Sequence, residues 1–293
     1  MKITPKMEEL VLKVIEEMES GKSLPWEKPW FYQGVMNWKT KRGYNGMNIL
    51  SLAYGLEDSG LKIGQFMTYN QAQKEGAQVK KGAHGFPVCY FQMIEGKGKN
   101  NEKTKFPLMK TSIVFGIEQI EGIEARETPK RDLTPNELAE KIISLSGAKM
   151  IENGATTSTP AFCKNDGSSI SVPSKNLWKT DEGFYSTVFH ELIHWTGSKE
   201  RLNRSSFVNY STERAFEELI AELGGAFLAS YVGYHYNTQH TAYIKSWASG
   251  MKEHKDMLYK ASSQAQKAVN YILKEAGLIE TKEEAKEEEP VTA

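Results

Sequence analysis

Two histidines four residues apart, His190 and His194, flank Glu191 in Phe189-His190-Glu191-Leu192-Ile193-His194-Trp195. On a helix this pair lies one turn apart on a single face, so both imidazoles can reach one metal ion. Glu191 follows His190 and is rotated by roughly 100° around the axis. Its carboxylate then stands beside the metal's open position instead of among its ligands. There it can take a proton from a water and pass it to a leaving amine. The chemistry implied is metal-assisted hydrolysis with Glu191 as the catalytic base. For the motif taken alone, the plainer alternative is a solvated helix whose histidines align by chance.

A catalytic zinc site takes three protein ligands, and a carboxylate from a second helix commonly supplies the third. The stretch from Glu217 to Leu228 reads as part of a helix over about 212–231, with Leu219, Leu223 and Phe227 on one side. Glu218 and Glu222 share a face of it, and Glu217 is expected to turn away. Ala221, Gly224, Gly225 and Ala226 are small enough to let two helices approach closely. Two carboxylates on a face with leucine and alanine are costly to bury unless something binds them. Glu218 is therefore expected as the third ligand. Glu222 is expected to hold a histidine N–H and fix its tautomer. Glu217 or Glu222 as the ligand is the nearest alternative, and a charged outer face the plainest. Zinc suits the ligand set, and ligand hardness admits manganese.

The elements that must position these groups can be read around them. The motif helix runs from about 183 to 195, with Gly197 as its stop. Thr134-Pro135-Asn136-Glu137 combines a cap, a proline at the first helical position and a glutamate at the third, opening a helix that ends at Gly147. Strands are expected over 148–151 and 156–163, and Asn165-Asp166-Gly167 turns into a strand ended by Pro173. Between the metal helices, Arg201 and Arg204 are expected to pair with acidic side chains or phosphate, and Tyr210 is a candidate oxyanion donor. His235, His240 and His254 have no ligand spacing and read as surface or interhelix residues. Residues 239–276 are helical, with a break near Gly250 or His254. The acidic stretch 280–293 reads as disordered.

With these phrases in hand, the chain resembles the ArdC family of antirestriction proteins. The likeness rests on His190-Glu191-Leu192-Ile193-His194-Trp195-Thr196-Gly197, Arg201-Leu202-Asn203-Arg204 and the run from Glu217 to Gly224. It extends to Pro25-Trp26-Glu27-Lys28-Pro29-Trp30 and to Ala261 and Ala265-Gln266-Lys267-Ala268. The resemblance implies an α+β chain: a small single-stranded-DNA-binding domain over 1–127, then a zincin-like metallopeptidase domain over 132–278 with a short antiparallel sheet and active-site helices. It also implies a role in protecting incoming plasmid or phage DNA from restriction, with an unknown protein as the peptidase substrate. In a zincin-like fold the strand ahead of the metal helix is an edge that can pair with an extended peptide, and Ile170–Val172 is the candidate. The alternative is a passive DNA-binding protein whose metal only staples its second half.

Composition agrees with such a division of labour. At 293 residues the chain is comfortable for two cores. Its 37 basic and 37 acidic residues leave no global positive field, which argues against DNA binding by charge alone. Cys89 and Cys163 are too few and too far apart for a disulfide framework. With no membrane-length apolar run and no signal-like start, a soluble cytoplasmic protein is expected.

The N-terminal half offers the aromatic and basic mixture that suits single strands, where rings stack on bases and cations follow phosphates. Trp26 and Trp30 lie in a proline-punctuated stretch; each is a candidate for stacking and equally for a core anchor. Arg42 and Tyr44 stand beside glycine in a polar loop and are candidates for contact. Lys80 and Lys81 form a basic turn that could grip phosphate or be an ordinary solvated turn. Helices are expected over 5–19 and 48–60, with a capping box at Thr68-Tyr69-Asn70-Gln71. Strands over 86–94 and 111–117 are expected to flank a polar loop at 95–106, and 124–132 reads as a linker.

Overall fold

The computed structural model describes residues 3–22, 24–27, 34–97, 103–127, 132–153, 160–236 and 243–279. Helix α1 (Pro5–Ser20) starts with proline in its first turn and stops at Gly21, whose left-handed backbone returns its N–H to Glu17 O. Its stripe of Met7, Leu10, Val11, Val14, Ile15 and Met18 is buried. The N-terminal sheet is built from β1 (Met36–Asn37), β2 (Gln65–Thr68), β4 (Phe86–Lys97) and β5 (Lys103–Gly116), in the order β1-β2-β5-β4. Between its strands lie α2 (Met47–Ser59) and α3 (Tyr69–Lys74). Thr68 and Gln71 close both bonds of the expected capping box at α3. A second ladder pairs β3 (Gln78–Val79) with β6 (Ile120–Glu121).

Two local expectations are corrected here. The β4–β5 ladder runs out to Lys97 opposite Lys103, so most of the polar stretch 95–106 is strand and not loop. An antiparallel pair can face water, so backbone pairing needs no apolar side chains to continue. The start of the linker is also tied down. The Arg126 guanidinium lies 4.0 Å over the Trp38 ring, and Gln65 bonds both the N–H and the carbonyl of Arg126.

The second half comprises α4 (Pro135–Leu145), β7 (Met150–Glu152), β8 (Phe162–Cys163), β9 (Ile170–Val172), α5 (Asp181–Trp195), α6 (Ser205–Val208), α7 (Tyr210–Val232), α8 (Ile244–Glu253) and α9 (Met257–Glu275). The sheet order is β7-β9-β8. Ile170–Val172 is therefore the central, buried strand and not the edge, because β7 pairs parallel to its far side. The edge next to the motif helix is β8. The expected break in the last helical stretch falls at His254, between α8 and α9.

The main core does not divide where the linker was read. Met7 and Val11 of α1 and Trp26 belong to the same apolar cluster as Leu192 of α5, Leu223 of α7, Trp247 of α8 and Ala265 of α9. Two smaller clusters line the N-terminal sheet, one around Phe66 and Phe86 and one around Met67 and Ile117. Among the described residues, no helix is long and apolar enough to cross a membrane.

Candidate metal centre

Helix α5 carries the motif. Thr180 caps it by accepting from the Gly183 N–H, and Asp181 and Glu182 complement the positive end of its dipole. From Val188 to Trp195 every residue is buried, so the motif is far from a solvated face. Helix α7 lies against it with glycine at the contact. A β-carbon at Gly224 would stand 2.7 Å from Ile193 side-chain atoms. Gly224→Val is therefore expected to cost about 1–3 kcal/mol through overpacking and to weaken metal retention by forcing the helices apart. Thermal unfolding and metal-release rates would check both effects.

The close approach brings three donor atoms together. His190 Nε2 and His194 Nε2 are 3.1 Å apart, and Glu218 Oε2 lies 3.4 Å and 3.8 Å from them. On their far sides, His190 Nδ1 is 3.2 Å from Glu222 Oε2 and His194 Nδ1 is 3.1 Å from Glu217 Oε1. With an ion bound, those carboxylates would accept the Nδ1 protons and leave both Nε2 lone pairs for the metal. Acceptor atoms converging this closely in a dry site repel one another unless a proton or a metal ion lies between them. Tetrahedral coordination with bonds of zinc–nitrogen length separates its ligands by about 3.3 Å, which the three distances bracket. The donor set thus fits one divalent ion held by His190, His194 and Glu218.

Electrostatics point the same way. Burial disfavours charge on His190, yet Glu218 and Glu222 outweigh it and lift the ring to about 10. His194 rises too, with Glu217 and Glu218 overcoming the same burial. Glu218 is itself held far below the usual carboxylate range by the two histidines, against its burial. Four buried carboxylates, Glu191, Glu217, Glu218 and Glu222, share this region with one buried guanidinium, Arg204. The site is short of positive charge.

Glu217 departs from expectation. Instead of turning away it is fully buried and bonds His194, Arg204 and the Ser206 hydroxyl. Residues 217 and 218 straddle the line where α7 faces α5, so each reaches one side of the His194 ring. Arg204 and His194 hold Glu217 at about 2 despite its burial. Arg204 donates to Ile193 O and Thr196 Oγ1 as well, and Arg201 lies 3.9 Å over Trp195 while donating to Gly167 O. Both arginines brace the motif.

Glu191 stands outside the donor set. Its Oε2 accepts the Cys163 N–H from β8 at 2.7 Å, and it borders a cleft of about 780 Å³ with Phe162, Tyr210 and Arg214. The Tyr210 hydroxyl donates to Glu218 Oε1. Sequence reasoning missed Tyr236, whose hydroxyl donates to Glu222 Oε2 at 3.0 Å, and Arg214, 3.9 Å from Glu218 Oε1. Arg214 is the one with a trace in the sequence, lying four residues before Glu218 on the same helix.

The candidate DNA-contact residues fare unevenly. Trp26 is fully buried and packs edge-on against Trp247 at 6.5 Å, so it is a core anchor and not a stacking surface. Trp30 lies outside the described residues. Arg42 is exposed. Tyr44 is half-buried, its hydroxyl accepting from Asn37 and its ring edge-on to Phe66. Lys80 and Lys81 are exposed, with Lys80 Nζ donating to Glu118 O. His254 is exposed and His235 half-buried, while His240 and the stretch 280–293 lie outside the described residues.

Comparison with known proteins matches both halves of the chain. Residues 5–115 match the N-terminal domain of the anti-restriction factor ArdC, and residues 137–264 match the zincin-like metallopeptidase family. A DNA primase TraC of Escherichia coli is 31% identical over 92% of this chain, which spans only 27% of that primase. The metal-free crystal structure of the antirestriction protein ArdC from plasmid R388 superposes with a TM-score of 0.80 at 29% identity, over 95% of this chain and 100% of that one. The Mn(II)-bound structure of ArdC from R388 gives 0.77 at 30% identity, over 94% and 100%. The chain belongs to the ArdC family of antirestriction proteins.

Proposed function

We propose that this protein binds single-stranded DNA and carries a divalent-metal peptidase centre, protecting incoming mobile-element DNA in the cytoplasm. The observation that carries the enzymatic half is the convergence of two imidazole nitrogens and Glu218 Oε2 within 3.8 Å, with Glu191 left over at the cleft. The Mn(II) bound by ArdC of R388 supports a divalent ion here, zinc or manganese.

His190, His194 and Glu218 would hold the ion, with Glu222 and Glu217 orienting the two rings through Nδ1. A divalent ion in such a site supplies Lewis-acid polarisation of a carbonyl and a water of lowered pKa. Glu191 takes the proton from the attacking water and returns it to the leaving amine. The Tyr210 hydroxyl, already at the metal ligand Glu218, donates to the carbonyl oxygen as charge builds on it. An extended peptide pairs with the β8 edge at Phe162–Cys163, by strand addition. Pairing there makes the peptide compete with Glu191 for the Cys163 N–H, freeing the carboxylate for proton transfer.

For DNA, Arg42, Tyr44, Lys80 and Lys81 supply the cationic and aromatic contacts. The test pairs two measurements on the metal-loaded chain: anisotropy with a labelled dT oligomer, and mass spectrometry of unfolded protein substrates. Binding together with defined, chelator-sensitive cleavage is expected. Binding without cleavage of any substrate would leave a passive DNA-binding protein with a structural ion.

A further inference from the structure

We propose that Tyr236 is a positioning residue for the metal centre, its hydroxyl holding Glu222 in the pose from which that carboxylate aims His190 at the ion. The inference rests on the reading that His190, His194 and Glu218 hold a divalent ion. It adds to that centre a residue from outside both helices that carry the ligands.

The two imidazoles are backed by carboxylates of unequal support. Behind His194, Glu217 is bonded by the Arg204 guanidinium and the Ser206 hydroxyl. Behind His190, Glu222 is fully buried, and among the described residues its ion-pair contact is the His190 ring. Glu222 Oε1 has no hydrogen-bond partner among the described residues. Its Oε2 meets His190 Nδ1 at 3.2 Å and the Tyr236 hydroxyl at 3.0 Å. A buried carboxylate with one oxygen unmet depends on the donors at the other. His190 is the group being aimed, so the Tyr236 hydroxyl is what fixes Glu222 from the protein side.

The chain is shaped to deliver that hydroxyl. Helix α7 ends at Gly233, whose φ of 97° lets the chain turn back along the helix. Tyr234 then stacks on Tyr185 of α5 with 5.5 Å between ring centroids, and Tyr185 stacks on Phe189. The returning segment is thereby pinned to the motif helix, and Tyr236 is buried beside α7. Gly225 lies three residues on from Glu222, on the same face. A β-carbon there would stand 2.8 Å from the Tyr236 hydroxyl oxygen and 2.9 Å from its ring. Glycine inside a helix weakens it relative to alanine, and here its small size is what admits the ring. Burial and the Glu222 charge push the hydroxyl well above its ordinary range, so it remains a donor at working pH.

The test is a double-mutant cycle on the full chain, reading Zn(II) affinity by competition with a chelator. Tyr236→Phe removes the hydroxyl and keeps the ring, so the packing stays filled. It is expected to weaken zinc binding about tenfold. In a Glu222→Ala background the same change should matter by no more than about twofold, because the hydroxyl has lost its route to His190. Gly225→Ala, which crowds the hydroxyl without removing it, should weaken zinc binding in the same direction. The visible absorption of the Co(II)-loaded chain should also change in Tyr236→Phe, a signature that a packing role alone would not move. An equal loss of affinity in both backgrounds would mean that Tyr236 acts by packing and would overturn the proposal. Wild-type affinity and a wild-type Co(II) spectrum in Tyr236→Phe would overturn it too, leaving the metal centre intact. A wild type that binds neither ion would overturn the metal reading and this role together.

Discussion

Glu191→Gln is expected to lower peptide hydrolysis by about 10²–10⁴-fold while the metal content stays at the wild-type level. The two halves of that outcome have different causes. Glu191 lies outside the group of three donor atoms, its carboxylate held instead by the β8 backbone at Cys163. Glutamine keeps an oxygen that can accept the Cys163 N–H, so β8 and α5 should remain in register. It cannot accept a proton from water at working pH. Steady-state cleavage of a substrate found by mass spectrometry, beside elemental analysis of the same preparation, reads both quantities. Loss of the metal together with activity would mean that Glu191 belongs to the ligand set. Activity retained to within a few-fold would remove it as the base.

The second large effect concerns stability. Arg204→Met should destabilise the fold by about 3–5 kcal/mol, because it leaves the buried Glu217 carboxylate without its cation. Arg204 and Glu217 are both buried and bonded through two guanidinium nitrogens, so water cannot replace the missing partner. The damage should spread to the metal, since the Glu217 carboxylate that orients His194 would have to protonate or move. Adding Glu217→Gln should recover part of the loss, as two neutral groups bury more cheaply than one unpaired charge. Urea unfolding of the single and double variants measures this directly. A single variant within about 1 kcal/mol of wild type would mark the pair as a solvent-accessible one of little consequence.

How much of this was legible in the sequence depended on whether a signal was local. The helix carrying His190 and His194, the caps at Thr68 and Thr134 and the break at His254 depend on residues a few positions apart, and the structure shows each of them. The convergence of Glu218 on the histidines followed from small residues on α7 and from the cost of burying carboxylates. Glu217 was misjudged because a helical wheel assumes one contact line, whereas α5 and the segment around Arg204 enclose α7 from two sides. The edge strand was misjudged for a related reason. Chain order put Ile170–Val172 next to the motif helix, but only long-range pairing with β7 decides which strand is central. Trp26 could not be resolved between core and surface without knowing that Trp247, far along the chain, packs on it. Tyr236 had no local signature at all, since it meets Glu222 only after the chain leaves α7 and returns.

The central claim is that α5 and α7 together hold a single divalent ion. Elemental analysis of the purified chain, after exposure to zinc or manganese and removal of excess, tests it most directly when Glu218→Ala is run alongside. One equivalent of metal in the wild type and a small fraction of one in the variant is the predicted result. A metal-free wild type, or a variant that keeps its full equivalent, would contradict a centre built from His190, His194 and Glu218.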